Sequence, residues 1–109
     1  MLKRVKRRYL ALEWDFEGFL GENEFMGALW GSVARLFGEY GASLANLVLI
    51  DYSGESKIAT IRVNLVAVDM VRAAVASVTC VSQKTIAINV VAASGTVKGL
   101  SRRLPKLRK

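Results

Sequence analysis

Histidine is missing from the 109-residue sequence, and cysteine and proline each occur only once. Without histidine the chain has no Ser-His-Asp or Cys-His catalytic arrangement and no histidine-ligated zinc site. The single cysteine, Cys80, cannot form an internal disulfide, which fits a reducing compartment and predicts a cytoplasmic protein. Because Cys80 stands in an apolar stretch, we expect it to be a small buried residue.

Long apolar segments are missing as well. No uncharged apolar run approaches the roughly 20 residues that a membrane-spanning helix needs. The first residues, MLKRVKRRY, are not followed by an apolar segment, so we expect no secretory signal. The sequence therefore predicts no membrane partner.

The composition that remains is that of a folded domain. Apolar residues make up 52% of the chain, which excludes disorder as the main state. A chain of this length buries roughly 65% of its unfolded surface, enough for a core without disulfides or metals. We predict a single domain over residues 1–109.

Positive charge is concentrated at the two ends of the chain. The net charge is +7, yet eleven of the sixteen bases lie in residues 1–8 and 98–109, which contain no acid, and residues 9–97 carry a net −4. Clustered bases attract a phosphate backbone and release its counterions, so nucleic acid is the leading partner class. The alternatives are a membrane surface and two solvated tails. The candidate RNA-binding residues are Lys3, Arg4, Lys6, Arg7, Arg8, Lys98, Arg102, Arg103, Lys106, Arg108 and Lys109.

The spacing of apolar residues predicts alternating strands and helices. Residues 9–16 alternate, with Leu10, Leu12, Trp14 and Phe16 on the buried side of a strand. Similar reasoning predicts a helix from an N-cap at Asn23 to a stop at Gly41, strands over 47–52 and 58–64, a helix over 66–78, a turn at Ser82-Gln83, a strand over 85–93 and a short basic helix over 96–104. This order predicts an α+β fold, a ferredoxin-like βαββαβ sandwich in which two helices cover one face of a four-stranded antiparallel sheet and a short C-terminal helix follows.

The first predicted helix has two different faces. Its apolar arc includes Trp30, Phe37 and Tyr40, which we expect in the core. Its other face carries small residues, and each interior glycine costs up to about 1 kcal/mol relative to alanine. That cost favours a flat docking face for a protein partner, the alternative being close packing against the chain's own C-terminal segment. The members of this small-residue face are Gly27, Ala28, Gly31, Ala34 and Gly38.

The open face of the predicted sheet is a weaker candidate for a binding site. Only Tyr9 can stack on a base, and the strand IATIRVN lacks the aromatic pattern of an RNA recognition motif. We expect Arg62 to pair with a carboxylate such as Glu13 across the strands. Glu13, Asp15 and Glu17 share one strand face that suits Mg²⁺ chemically, but a solvated face is the expectation, and we predict no metal site.

Three segments of the sequence carry specific motifs: ALWGSVARLFGEYGASLANLVLIDY, VRAAVASVT and the ending AASGTVKGLSRR. Together they resemble archaeal ribonuclease P protein component 2, a family whose eukaryotic relatives are small protein subunits of nuclear ribonuclease P. The WGSV, LFGEYGA and SGT pieces are the most specific parts. The resemblance runs from about residue 4 to 103.

This resemblance implies a ferredoxin-like subunit of the ribonucleoprotein that removes 5′ leaders from precursor tRNA. In such particles RNA and Mg²⁺ perform the chemistry, so we expect the chain to bind no cofactor itself and to be inactive alone. The implied partners are ribonuclease P RNA, precursor tRNA and a TIM-barrel-like protein subunit, with a dimer of heterodimers as one arrangement. The resemblance assigns no catalytic residue to this chain. The alternative functions are a stand-alone RNA-binding module and a small acylphosphatase-like hydrolase, whose glycine-rich phosphate cradle is not found in the sequence.

Overall fold

The computed structural model describes residues 6–81, 83–96 and 98–100. Strands and helices alternate along the chain in the predicted order, with one additional short strand. Residues 98–100 are also helical. The elements are β1 (Arg7–Phe16), α1 (Glu22–Ala45), β2 (Val48–Ser53), β3 (Ile58–Asn64), a 3₁₀ turn (Leu65–Ala67), α2 (Val68–Ala76), β4 (Cys80–Val81) and β5 (Lys84–Ser94).

The strands form one antiparallel sheet in the order β2-β3-β1-β5-β4. The sheet has five strands, so the prediction of four is wrong. The additional strand arises because Cys80 pairs with Thr85 and Val81 with Lys84, on either side of a turn in which Gln83 adopts a φ of 66°. Two residues are too few to leave an alternating pattern in the sequence. Ser82, the other residue of the predicted turn, lies outside the described residues.

One face of the sheet packs against both helices, and this confirms the predicted core of β1. Leu10, Leu12, Trp14 and Phe16 are buried there. They share one cluster with buried residues of β3 and β5 and of the two helices, including Phe25, Leu29, Ile61, Val71, Val75 and Ile88. Burial of this apolar surface is the main favourable term in the stability of the fold.

The helix face of the sheet also holds three aromatic rings. The ring of Trp14 lies 4.5 Å from that of Phe25 and 5.2 Å from that of Tyr52. The hydroxyl of Tyr52 donates to the carbonyl of Leu20, in the loop before α1. Burial raises the pKa of Tyr52 above its usual 10.0, and the charges of the nearby α1 carboxylates add to that rise. The hydroxyl therefore keeps its proton at neutral pH and remains a donor.

Helix α1 begins and ends at residues other than those predicted. Gly21, not Asn23, is the N-cap, and its backbone N–H donates to the Glu24 carboxylate at 3.3 Å. The helix does not stop at Gly41. It breaks at Gly38, where φ is 74° and ψ is −176°, resumes, and ends at Asn46. Helical dihedrals return after one residue, so the glycine produces a kink, not a terminus.

The middle of α1 exposes much of its apolar arc, so the prediction that Trp30, Phe37 and Tyr40 belong to the core is wrong. Trp30 is 52% exposed and Tyr40 is 81% exposed, and Leu36 and Phe37 are also exposed. Burial returns after the break, at Gly41 and Ala45. The exposed apolar side chains therefore lie in the middle of α1, on both sides of the kink at Gly38.

Two further expectations are wrong because strand pairing, which local sequence does not show, decides where these side chains lie. Cys80 is exposed on β4, and its neighbour Val81 is the buried member of that strand. Arg62 lies opposite Tyr9 across β1 and β3, whereas Glu13 lies opposite Ile58. The register therefore separates Arg62 from Glu13 by four positions along β1, too far for an ion pair.

The C-terminal segment packs on the sheet face opposite the helices. Leu100 is 2% exposed and forms a small cluster with Ala11, which is fully buried, together with Tyr9 and Ala92. The backbone N–H of Leu100 donates to the carbonyl of Thr96 at 3.0 Å. Residues 98–100 have the predicted helical conformation, and residues 101–104 of the predicted helix lie outside the described part of the chain.

The kink in α1 predicts opposite effects for two alanine substitutions in the same helix. Gly38 adopts dihedrals that are essentially restricted to glycine, so Gly38→Ala should lower the free energy of unfolding by about 1–3 kcal/mol. Gly31 is helical, and no heavy atom lies within 4 Å of where its Cβ would stand, so Gly31→Ala should raise it by up to about 1 kcal/mol. Urea unfolding followed by circular dichroism measures both. Equal effects of the two substitutions would contradict the kink.

Candidate nucleic-acid and protein interfaces

The basic N-terminal segment leads directly into the central strand. Lys6, Arg7 and Arg8 are exposed, and β1 begins at Arg7. The carbonyl of Lys6 accepts from the backbone N–H of Leu65 at 2.8 Å. The last bases of this segment are therefore held by the end of the sheet. Lys3 and Arg4 lie outside the described residues.

The basic C-terminal segment begins in the part of the chain that returns to the open sheet face. Lys98 is exposed and helical, two residues before the buried Leu100. The structure therefore describes one of the six C-terminal candidate bases. The other five lie outside the described residues: Arg102, Arg103, Lys106, Arg108 and Lys109.

The open sheet face is covered at Ala11, near these segments. Tyr9, the only aromatic residue predicted to stack on a base, packs with Ala11, Ala92 and Leu100. Beside it, Arg62 has a buried Nε atom with no hydrogen-bond partner among the described residues. A buried guanidinium N–H without an acceptor is unusual, because it loses water without gaining a protein partner.

The carboxylates of β1 lie at the other end of the strand. Glu13 is half-buried, and Asp15 and Glu17 are exposed. Lys57 and Lys84 lie near this end: the Lys57 Nζ donates to the carbonyl of Phe16 at 2.6 Å, and the Lys84 Nζ lies 5.9 Å from the Phe16 ring centre. In the described part of the chain, no three histidine, cysteine, aspartate or glutamate side chains are grouped to hold a metal ion.

The small-residue face of α1 is open near its centre. A Cβ built on Gly27 or on Gly31 has no heavy atom within 4 Å. Ala34 is exposed, and Ala28 packs partly against the core. Gly38 is exposed too, but its dihedrals account for the glycine there without a partner. Leu100, in the described part of the C-terminal segment, packs on the opposite side of the sheet, so residues 98–100 do not cover this face.

A groove of about 360 Å³ runs between this face and the segment after α2. It is lined by Gly27, Ala28, Gly31, Ser32, Arg35 and residues 77–80. Ser32 closes its floor, since its hydroxyl lies 2.7 Å from the carbonyl of Ala74 and 2.7 Å from the Ser77 hydroxyl. These hydrogen bonds hold α1 and α2 together beneath an open and largely uncharged groove.

Exposed apolar side chains form a second feature of α1, and the sequence reasoning missed their exposure. We call Trp30, Leu36, Phe37 and Tyr40 the apolar strip. The indole Nε1 of Trp30 donates to the carbonyl of Leu47 at 3.4 Å, which fixes the ring beside the end of α1. Several exposed apolar residues on one helix are typical of a protein-binding surface.

No helix in the described ranges combines the length and apolar character needed to cross a bilayer.

Comparison with known proteins shows which family the chain matches. The model of the Rpp14/Pop5 family matches residues 8–104. The chain is 29% identical over 100 residues to ribonuclease P protein component 2 of Pyrococcus horikoshii, covering 92% of this chain and 83% of the relative. It is 26% identical over 110 residues to the protein of the same name from Methanobrevibacter smithii, covering 94% and 92%. A third protein of that name, from Halorubrum lacusprofundi, is 33% identical over 106 residues and is covered to 65% of its length.

A solved structure has the same fold. The chain superimposes with a TM-score of 0.71 on a chain of the cryo-EM structure of yeast ribonuclease MRP, at 13% identity, covering 88% of this chain and 79% of the other. The match of the family model extends from the start of β1 to beyond Leu100, so it includes the whole sheet and both helices. This chain belongs to the Rpp14/Pop5 family.

Proposed function

We propose that this chain is a protein subunit of ribonuclease P and supports a catalytic RNA in removing 5′ leaders from precursor tRNA. The observation that carries the proposal is the match of the Rpp14/Pop5 model to residues 8–104. The relatives named ribonuclease P protein component 2 support it, because three of them are matched over more than nine-tenths of this chain. As the sequence predicts, we propose that the subunit acts in the cytoplasm.

We also propose that the fold is a ferredoxin-like sandwich with an added edge strand. The four long strands follow the order β2-β3-β1-β5, and α1 and α2 share a core with one face of that sheet. This arrangement suits a split βαβ topology. On this proposal the short β4 is an addition at the edge next to β5.

The RNA-binding role is assigned to the bases of the two chain ends. Lys6, Arg7, Arg8 and Lys98 are exposed, and no acid occurs in residues 1–8 or 98–109. Contacts of lysine and arginine with phosphates supply most of the sequence-independent affinity for RNA. The partner RNAs that we propose are the ribonuclease P RNA and precursor tRNA.

The protein-binding role is assigned to α1. The groove beside Gly27 and Gly31 and the apolar strip together provide an open, weakly charged helix surface. A protein interface favours such a surface, since aromatic residues are enriched and charges depleted at the buried centre. We propose that the TIM-barrel-like subunit docks here, in an assembly that includes a dimer of heterodimers.

Catalysis is assigned to the RNA. The sequence has no histidine to serve as a general base, and the donor sets in the described residues do not fit a metal ion. We propose that Mg²⁺ binds the RNA in the assembled particle. The subunit then contributes by holding the RNA in its active arrangement.

The alternative of a stand-alone RNA-binding module would use the open sheet face. Leu100 covers Ala11 and contacts Tyr9 on that face. Stacking of bases on the strands requires that this space be free. We therefore favour the subunit over the stand-alone module.

Reconstitution tests the proposed function. The chain alone should not cleave precursor tRNA, because the RNA performs the chemistry. Adding the chain to the catalytic RNA and the remaining protein subunits should raise the rate of 5′-leader removal well above that of the same mixture without it. Gel electrophoresis of end-labelled precursor tRNA measures both rates. Cleavage by the highly purified chain alone, or an unchanged rate when it is added, would refute the proposal.

Gly31→Leu tests the docking surface on α1. The site has space for the larger side chain, and leucine favours the helix more than glycine does, so the isolated chain should be folded and at least as stable. The added side chain should then obstruct the partner, with loss of co-elution from size-exclusion chromatography.

Ala73→Leu is the matched control, because it adds a leucine at an exposed position of α2. It should leave co-elution unchanged. If Gly31→Leu unfolds the isolated chain, or if both variants co-elute normally with the TIM-barrel-like subunit, the partner does not bind at this face of α1.

A further inference from the structure

We propose that the open edge of β5 binds an extended segment of the same TIM-barrel-like subunit that docks on α1, and so gains a further strand held by backbone hydrogen bonds. This rests on the proposed function for the identity of that subunit. It goes further because it assigns a second contact surface and a different mode of binding. Docking on a helix depends on complementary side chains, whereas strand addition depends on free backbone groups.

The edge of β5 is only partly paired. On one side β5 pairs with β1 from Ile86 to Ser94, whereas on the other side β4 pairs with Lys84 and Thr85 alone. One more backbone hydrogen bond joins the Ile86 N–H to the carbonyl of Thr79 at 3.1 Å. Within the described ranges no strand lies beyond that bond, so the edge is open from residue 87 onward.

Backbone direction decides which groups of this edge are free. Residues along an antiparallel strand alternate between those bonded to one neighbour and those bonded to the other. The backbone of Ile86 points away from β1, because its N–H binds Thr79. The register with β1 is regular as far as Val90, so the N–H groups of Ile88 and Val90 also point away from β1. Ile88 is only 6% exposed, whereas Val90 is half-buried, so Val90 is the position that an incoming strand can reach.

The two edges of the sheet differ in how they are protected against strand addition. Natural sheets protect an exposed edge with a short strand, charged side chains, proline or a bulge. Strand β2 has six residues, an acid at Asp51 and an irregular register between Leu49 and Asp51. Strand β5 has eleven residues, and residues 85–94 contain no charge and no proline. Its bulge, at Val91, is the one protective feature that it has.

The size of this edge indicates that strand addition belongs to a larger interface. The bulge interrupts the register after Val90, so the regular open edge covers only residues 87–90. A stable protein interface buries about 800 Å² on each partner and involves roughly 20–30 residues a side. So short an edge cannot hold a second copy of this chain by itself. It suits a segment of a protein that is also bound elsewhere on the surface.

The groove beside α1 leads to this edge. Its wall is formed by residues 77–80, and Thr79 in that wall accepts the hydrogen bond from Ile86. Val90 follows Ile86 by four residues, or roughly 13 Å along the strand. A partner that lies in the groove therefore needs only a short extended segment to reach Val90.

The side chains of β5 indicate what the added strand contains. Val90 packs against the core on the helix side of the sheet, whereas Ala87 and Asn89 are exposed on the open side. A neighbouring strand places alternate side chains on these two sides. We expect an apolar side chain beside Val90, small or polar side chains beside Asn89, and no charge, since residues 85–94 offer none to pair with it.

Amide hydrogen exchange, followed by NMR on the isotope-labelled full chain, tests the proposal. In the isolated chain the Val90 N–H should exchange rapidly, because no described strand lies beside it. The Asn89 N–H points to β1, where Asn89 pairs with Glu13, and it should be protected. Adding the TIM-barrel-like subunit should slow exchange at Val90 by roughly tenfold or more. The rate at Asn89 should change much less.

Val90→Pro tests the same hydrogen bond by substitution. Proline has no N–H and is tolerated at strand edges, so the pairing of β5 with β1 should remain. The variant should bind the subunit roughly fivefold or more weakly in a calorimetric titration, the effect of one lost hydrogen bond. Val90→Ala is the matched control, because it truncates the same side chain but keeps the N–H, and it should bind within about twofold of wild type. If a thermal melt shows that Val90→Pro is unfolded, the exchange rates of the unaltered chain decide.

Three results would overturn the proposal. They are protection of the Val90 amide in the isolated chain, which means that the chain covers its own edge, protection that rises with the concentration of this chain alone, which means that a second copy binds there, and an exchange rate at Val90 that the subunit does not change. Reconstituted cleavage of precursor tRNA is a separate readout. If the chain raises the cleavage rate while exchange at Val90 is unchanged, strand addition fails and the proposed function stands. Slower exchange at Val90 in the complex, with no effect of the chain on cleavage, gives the reverse result.

Discussion

The central strand β1 is the element on which the rest of the structure depends. Its backbone is paired on both sides, with β3 and with β5, so no edge is left unsatisfied. Leu10, Leu12 and Trp14 face the helices, while Ala11 faces Leu100. Because the residues on the helix side are buried and Ala11 is buried on the other side, the register of β1 cannot shift without exposing apolar surface. The positions of the bases at its start and of the acids at its end follow from that constraint.

The parts of the fold that sequence could predict are those that depend on local spacing. Strand β3 has the predicted bounds, Ile58–Asn64, because strict alternation over seven residues is a strong signal. The exposed strip of α1 was missed because periodicity identifies which residues share a helix face, not which neighbour covers it. The wrong partner for Arg62 has a similar cause: cross-strand pairs depend on register, and the register of β1 with β3 places Arg62 opposite Tyr9.

The candidate surfaces also include some features that local sequence predicts and others that depend on contacts between distant residues. Charge counting identified the bases at both ends, because charge clustering is a local property of the sequence. The position of Arg8 beside Gly95 depends on the pairing of Tyr9 with Ser94, a contact between residues 85 positions apart, which no local pattern contains. The small-residue face of α1 was recognised from its glycines, yet Gly31 and Gly38 have different structural roles. One leaves space on a regular helix, and the other provides dihedrals that only glycine adopts readily.

The two surfaces lie on opposite sides of the sheet and differ in chemistry. Helix α1 presents the apolar strip on one side, whereas Arg62 lies beside Tyr9 and Leu100 on the other. Packed layers are about 10 Å apart, so an apolar protein partner and a polyanion can occupy the two sides together without competing. A chain that holds two partners in a fixed relative orientation removes much of their freedom to rotate and translate. That entropic contribution can accelerate a reaction whose chemical groups all belong to the partners.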